Sequence, residues 1–335
     1  MDRTEDDMKF VGFFGIFKQS FKTIFTWKKI FAQITLAFIL PLAIVFIVQM
    51  EISHHFFWKI DNNTLPYDSN DSHEATALDW LYYALFTIAY YAFLTFFSVL
   101  STAAVVFTIA SIYTTREVVF RSVMKVIRKV WKRLLITFVF IYIAQFIYEV
   151  IGSIALAIPR VIFDYSSLGG VVVMLIILIF YAYGFLYLSV VCQLASVVAV
   201  LENIYGFNAL KKGKDLTYGK KKVGMGIAFV LYGVLVCLIV VYLLLVEYGH
   251  EVYEFALVWR VVIGISCGIM LLVLFLMFIV TQTVLYLVCK SYHREAIDKL
   301  SLSTFLGAYT GETVVYPRPG AEIQLGSPQP PCEHV

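Results

Sequence analysis

Six stretches of the chain are almost uninterruptedly apolar, at about 30–50, 81–112, 134–157, 169–200, 224–246 and 258–289. Ile, Leu, Val and Phe fill them without strict alternation, so the pattern predicts helices rather than the strands of a barrel. A hydrocarbon core about 30 Å thick takes about 20 residues of helix. The pattern therefore predicts an all-α fold, a polytopic membrane bundle of six transmembrane helices. The odd runs hold about 20–24 residues and the even ones about 32, which at 1.5 Å per residue is about 48 Å. The even helices are expected to tilt, kink or project beyond the bilayer. Pro41, inside the first run, predicts a kink, and Pro159 is expected to end the third helix.

A second pattern recurs ahead of each odd run. Phe10, Phe13, Phe14, Phe17, Phe21, Ile24 and Phe25 repeat at helical spacing, with Lys18, Lys22, Ser20 and Thr26 elsewhere on the wheel. That segment ends in Trp27, Lys28 and Lys29. Ahead of the third run, Val119, Val123, Val126, Ile127 and Val130 form one face and Arg121, Lys125, Arg128, Lys129 and Lys132 the other, ending in Trp131, Lys132 and Arg133. The stretch from Ile204 to Lys222 is weaker, is interrupted by Gly213 and Gly219, and ends in Lys220, Lys221 and Lys222. The pattern predicts a unit of basic amphipathic interfacial helix, short span, outer loop and long span, repeated three times. Such helices lie in the headgroup layer, where Lys28, Lys29, Lys132, Arg133, Lys220 and Lys221 become candidate contacts for anionic lipid.

Charge sets the orientation. Twenty-three of the 26 Lys and Arg residues fall before the first run, between the second and third, between the fourth and fifth, or after the sixth. The other side keeps Lys59, Arg160 and Arg260. Positive residues stay inside, so both termini are expected in the cytosol, in the secretory pathway or plasma membrane. The stretch of about 51–80 is acidic and carries two sequons, at Asn62 and Asn70, which become candidate glycosylation sites on the lumenal face. The first run follows an aromatic, basic segment and no small-residue cleavage site follows it, so it is expected to stay as an anchor.

Composition removes several function classes. Of 335 residues, 61% are hydrophobic and 15% charged, against about 25% charged in soluble domains. An ordinary soluble enzyme, a disordered protein and a nucleic-acid binder are excluded on that ground. The five cysteines form no C-x-x-C and none falls in an expected outer loop, so a disulfide framework is not predicted. Cys289, beside Lys290, is a candidate for palmitoylation.

One stretch carries a family resemblance. Glu202 ends the fourth run, and Gly206, Ala209-Leu210-Lys211, Leu216 and Gly219-Lys220 follow. This resembles the elbow of the membrane domain found beside bacterial glycerophosphodiester phosphodiesterases. Over about residues 10–300 the chain is similar to an uncharacterised plant family of six-span membrane proteins. The resemblance implies a shared bundle. It does not imply the phosphodiesterase reaction, because that chemistry belongs to a separate soluble barrel of about 250 residues for which the chain has no room.

Chemistry-bearing groups are sparse. Gln145, Glu149, Gln193 and Gln282 are polar residues within the runs and make up a candidate intramembrane site. Glu202 is expected to pair with Lys211 or Lys212 of its own elbow. His54, His55 and His73 share the acidic stretch with carboxylates, without metal-site spacing, and read as a solvated loop. Gly264 and Gly268 form a Gly-x-x-x-Gly that reads as close helix packing. No Walker loop, G-x-G-x-x-G, G-x-S-x-G or H-E-x-x-H is present. No catalytic, metal or cofactor residue is assigned.

The organisation expected is therefore a cytosolic segment over 1–29, a membrane domain over 30–300, and a Pro-rich disordered cytosolic tail over 301–335 able to carry a motif for a cytosolic protein. The function expected first is a non-enzymatic membrane organiser or adaptor that contacts anionic lipid and cytosolic partners. The alternative is a transporter or channel for a small or lipid-like solute. A polar cavity joining the four intramembrane residues favours the alternative, and a dry centre favours the organiser.

Overall fold

The structure is a computed structural model, which describes residues 12–64, 77–114, 119–162, 168–202, 204–247 and 257–293. The tail over 301–335 and Asn70 lie outside these residues. Among them the chain is all helix. The elements are α1 (Phe13–Thr26), α2 (Lys28–Ile34), α3 (Leu40–Thr64), α4 (Ala77–Tyr113), α5 (Phe120–Ile162), α6 (Leu168–Leu201), α7 (Phe207–Thr217), α8 (Lys221–Tyr242) and α9 (Leu257–Tyr292). Two π-helical turns, Thr35–Ile39 and Leu243–Glu247, join α2 to α3 and extend α8. Six helical stretches are long and apolar enough to cross a membrane: Lys28–Phe57, Asp79–Tyr113, Phe120–Pro159, Gly169–Leu201, Lys221–Val246 and Val258–Tyr292. They coincide with the six runs.

Pro41 leaves a different mark from the expected kink. The helix widens into the π turn just before it, where the Leu40 N–H reaches back five residues to the Thr35 carbonyl. Proline cannot donate and its ring crowds the carbonyl four residues back, so one wide turn absorbs the defect. Pro159 does not end its helix, because α5 runs on to Ile162. The expected long first outer loop is also shorter. Helix α3 continues through Thr64, because 51–64 contains no Gly or Pro and the first breaker is Pro66. His54 and His55 consequently sit on a helix.

The second basic segment is not a separate interfacial helix. It forms the first turns of α5, a single helix of 43 residues, about 64 Å long. Nothing between Trp131 and Leu134 breaks it. Four of its five expected inner residues, Val123, Val126, Ile127 and Val130, are buried, with Leu134 extending the face; Val119, just before the helix begins, is exposed, as are Arg121, Lys125, Arg128, Lys129 and Lys132. Helix α1 departs from its expected face. Ile16, Ser20 and Thr23 point inward, while Phe14, Phe21 and Phe25 are exposed. The two hydroxyls can be buried because Ser20 donates to the Ile16 carbonyl (2.9 Å) and Thr23 to the Gln19 carbonyl (2.9 Å). Small side chains then let α1 lie close to its neighbours.

The third basic segment is a true elbow. Gly213 does not interrupt α7. A Cβ there would lie 2.8 Å from the Val191 carbonyl oxygen and 3.0 Å from the Ala195 nitrogen, so this glycine lets α7 press on the α6 backbone. Gly206 (φ 64°) and Gly219 (φ 86°) open and close the elbow in the left-handed region, which glycine enters without strain. The Gly206 N–H is fixed by the Thr137 hydroxyl of α5 (2.9 Å).

These three segments form a collar. The C-terminal halves of α4, α6 and α9 run into it and are buried almost residue by residue, over 99–113, 189–201 and 279–291. Helix α7 packs on α6, α5 packs along α4, and α1 packs on α9. Each elbow therefore covers the even span that precedes it, and the first elbow closes the ring on the last span. The surplus length of the even helices is taken up inside this collar.

Candidate functional site

A cavity of about 340 Å³ lies midway along the bundle, and all six spans contribute to it. Leu42 and Phe46 come from α3, and Tyr90, Ser98, Ser101 and Thr102 from α4. Phe138, Ile141 and Gln145 come from α5, and Ser189, Cys192, Gln193 and Ser196 from α6. Tyr232 and Leu235 of α8, with Phe275, Phe278 and Gln282 of α9, complete the wall.

Three of the four expected polar residues meet here: Gln145, Gln193 and Gln282. Glu149 does not. It is exposed one turn further along α5, where Phe146, Ile147, Val150 and Ile151 also face outward. The helical register places it near Gln145, but the bundle there has given way to open surface.

The hydroxyl residues of the chamber are not picked out by hydropathy, which averages them into apolar runs. Their spacing is a usable signal: Ser98, Ser101 and Thr102 fall on one face of α4, and Ser189 and Ser196 share a face of α6 with Gln193. Ser101 donates to the Ser98 carbonyl (3.1 Å) and Ser196 to the Gln193 carbonyl (2.8 Å), which leaves their oxygens as acceptors. The Ser189 hydroxyl and the Gln193 amide are buried against Tyr232, whose hydroxyl is their nearest partner, though neither reaches it with full hydrogen-bond geometry among the described residues. Tyr232 is held edge-on between Phe185 and Phe278 at 5.3 and 5.0 Å. A buried donor held in a poorly formed hydrogen bond gains less than a well-paired one, so this wall keeps polar capacity facing the cavity. Amides, hydroxyls, aromatic rings and a thiol line it, and no charged side chain does. An apolar molecule with one or two neutral hydrogen-bonding groups matches such a wall.

The other expected residues are scattered. Lys28, Lys29 and Lys132 are exposed, and Arg133 is half-buried. Lys132 reaches over the Trp131 ring (6.0 Å). Lys220 lies over Tyr292 (5.3 Å) and Lys221 over Tyr187 (4.2 Å). Cys289 is 1% exposed inside the core, a position that an acyl chain reaches only if the packing opens. Asn62 lies in the last turn of α3 rather than in a loop. Gly268 has Ile47 of α3 against it at ordinary contact (3.5 Å), as helix packing requires.

Glu202 pairs across the bundle with Lys290, and the charge of Lys212 from its own elbow acts on it as well. Lys290 (2.7 Å) and the Tyr286 hydroxyl (2.6 Å) both donate to its Oε1, tying α6 to α9. Burial alone would raise this carboxyl. The Lys290 and Tyr286 hydrogen bonds, with the charges of Lys290 and Lys212, outweigh it and hold the carboxyl below the usual range.

Six apolar spans around an uncharged chamber define a multi-pass helical membrane protein. Residues 1–327 match the family described as Domain of unknown function (DUF8558), and the chain belongs to it. Comparison with curated proteins and with solved structures finds no match.

Proposed function

We propose that the protein is a transporter that accepts a small, uncharged, lipid-like solute in its central chamber. The observation that carries this reading is the cavity of about 340 Å³ to which all six spans contribute and in which Gln145, Gln193 and Gln282 meet. An organiser acting only through its surface has no use for an internal space lined by amide and hydroxyl groups. The lining offers no counter-charge, so ions and phosphates are disfavoured there. The reading involves no bond-making chemistry. It takes the basic end as cytosolic, supported by the lopsided distribution of Lys and Arg. The resemblance of the Glu202–Lys220 stretch to the phosphodiesterase-associated membrane domain is consistent with a shared bundle and adds no activity.

Two variants test it, Gln193→Leu and Ser101→Phe. The first removes the buried amide and the second fills the chamber. Solutes extracted from purified protein are identified by mass spectrometry, and movement of a fluorescent diacylglycerol across proteoliposomes is timed. Wild type should carry a neutral amphiphile and speed the probe, and both variants should lose both properties. Wild type without bound solute and with movement equal to that of empty liposomes sinks the reading.

A further inference from the structure

A second cavity, of about 500 Å³, opens at the basic end where α7, the turn at Tyr218–Lys220, the start of α8 and the end of α9 meet the flank of α6. Its chemistry is the opposite of the chamber's. Lys212, Lys214, Lys221 and His293 line it together with one carboxylate, Asp215, while Lys212 also lies in the field of Glu202. We infer that this cavity binds the phosphate of an anionic headgroup, at a site independent of the chamber.

Three features make it more than a charged surface. The first is concavity: three ammonium groups and an imidazole line one space large enough for a small ligand. On the second basic segment, by contrast, Arg121, Lys125, Arg128 and Lys132 stand exposed along a convex helix face. The second is preorganisation. Lys221 is held over the rings of Tyr187 (4.2 Å) and Tyr183 (5.9 Å). His293 Nε2 is within hydrogen-bond distance of the Tyr218 carbonyl (2.9 Å), which fixes the wall. Gly219 (φ 86°) turns with the Tyr292 ring packed where a Cβ would stand, so the turn has one shape. The third is the helix start: α8 begins at this cavity and Lys220 gives it no side-chain cap. The Val223 and Gly224 N–H groups return to the Lys220 carbonyl (3.0 Å each), so what the start of this 22-residue helix adds to the lysines is the positive end of its dipole. Phosphate is the anion these groups suit best, with the ammonium groups as point charges and the helix dipole behind them. The source is a membrane lipid headgroup or a soluble phosphate ester, and the test separates them.

Full-length protein is released for native mass spectrometry from micelles holding phosphatidylcholine and phosphatidylinositol 4-phosphate in equal amounts. The phosphoinositide should be retained about tenfold over phosphatidylcholine. Lys212→Gln/Lys214→Gln/Lys221→Gln should abolish the preference. So should the milder Lys214→Gln/Lys221→Gln, in which both altered side chains are exposed and the fold is left intact. Arg121→Gln/Lys125→Gln/Lys132→Gln removes the same charge elsewhere and should keep the preference. In a parallel arm, soluble inositol 1,4-bisphosphate is titrated and the unfolding midpoint recorded. Stabilisation by the soluble compound identifies a free phosphate ester as sufficient, and retention of the lipid alone identifies the membrane as the source. Either outcome supports the site. Equal losses in both triple variants, or no preference in wild type, overturn it. Retention of the chamber's solute is untouched by these variants, so failure here leaves the transport reading standing.

Discussion

At the basic end, α4, α6 and α9 are buried on nearly every side, and at the opposite end the same helices face outward. Val105, Val106 and Ile109 of α4 are fully enclosed, whereas Leu85 and Ile88, a few turns earlier, are 55% and 67% exposed. On α6 the contrast is between Val197 and Val198 at 0% and Ile179 and Phe180 at 66% and 74%. The residue types are the same. What differs is the solvent: protein in one half, lipid in the other. Apolar surface in contact with lipid tails gains little from burial, whereas the collar gains close packing. Stability should therefore be concentrated in the collar, which leaves the opposite half free to move.

Gly213→Leu should break that comparison most severely. Its side chain would meet the α6 backbone at 2.8 Å, which cannot step aside. Overpacking costs about 1–3 kcal/mol where side chains can yield, and more is expected here, so detergent-resistant monomer should vanish in size-exclusion chromatography. The sharpest internal test is a matched pair. Ile109→Ala, in the collar, should cost about 2–4 kcal/mol. Ile88→Ala, facing lipid, should cost well under about 1 kcal/mol. Steric-trap unfolding in bicelles measures both, and equal costs would refute the division into halves.

Next comes Glu202→Gln, which should lose about 1–2 kcal/mol through weakened hydrogen bonds to Lys290 and Tyr286. Acid should do the same to wild type. The folded carboxyl titrates below its unfolded value, so its contribution is complete at neutral pH. It declines as pH falls through the ordinary carboxylate range and is gone below the folded carboxyl's own pKa. The variant should lack this part of the pH dependence in its unfolding midpoint. A smaller effect of opposite sign is expected at Gln193→Leu, which removes a buried amide lacking a well-formed hydrogen bond and should stabilise by up to about 1 kcal/mol while abolishing solute retention. Gly233→Ala should do least, a gain of about 0.5–1 kcal/mol from helix propensity, since a Cβ there meets nothing within 4 Å.

The six spans were legible because each needs only its own twenty apolar residues to declare itself. The inner face of the second basic segment was legible for the same local reason. What lay beyond reach is set by distant partners. Ser20 and Thr23 look polar, yet each satisfies its hydroxyl within its own helix and turns inward. Glu202 has lysines nearby in sequence, but its ion-pair partner is 88 residues away. Gln145 and Glu149 share a register, and only the packing of the other spans separates a chamber wall from an open surface. The chamber itself belongs to no single segment, so no local pattern announces it, although the one-face spacing of hydroxyls on α4 and α6 comes close.

The cyclic clasp has a consequence for biogenesis. Helices α7 and α5 find the spans they cover, α6 and α4, already synthesised. Helix α1 must wait for α9, about 240 residues later, which at 5–20 residues per second is about 12–50 s. Until then helix α1 lacks the helix it will pack on, and the nascent chain carries an unfinished ring. Docking of the first helix on the last therefore closes the ring, and a chain truncated before α9 keeps an open seam.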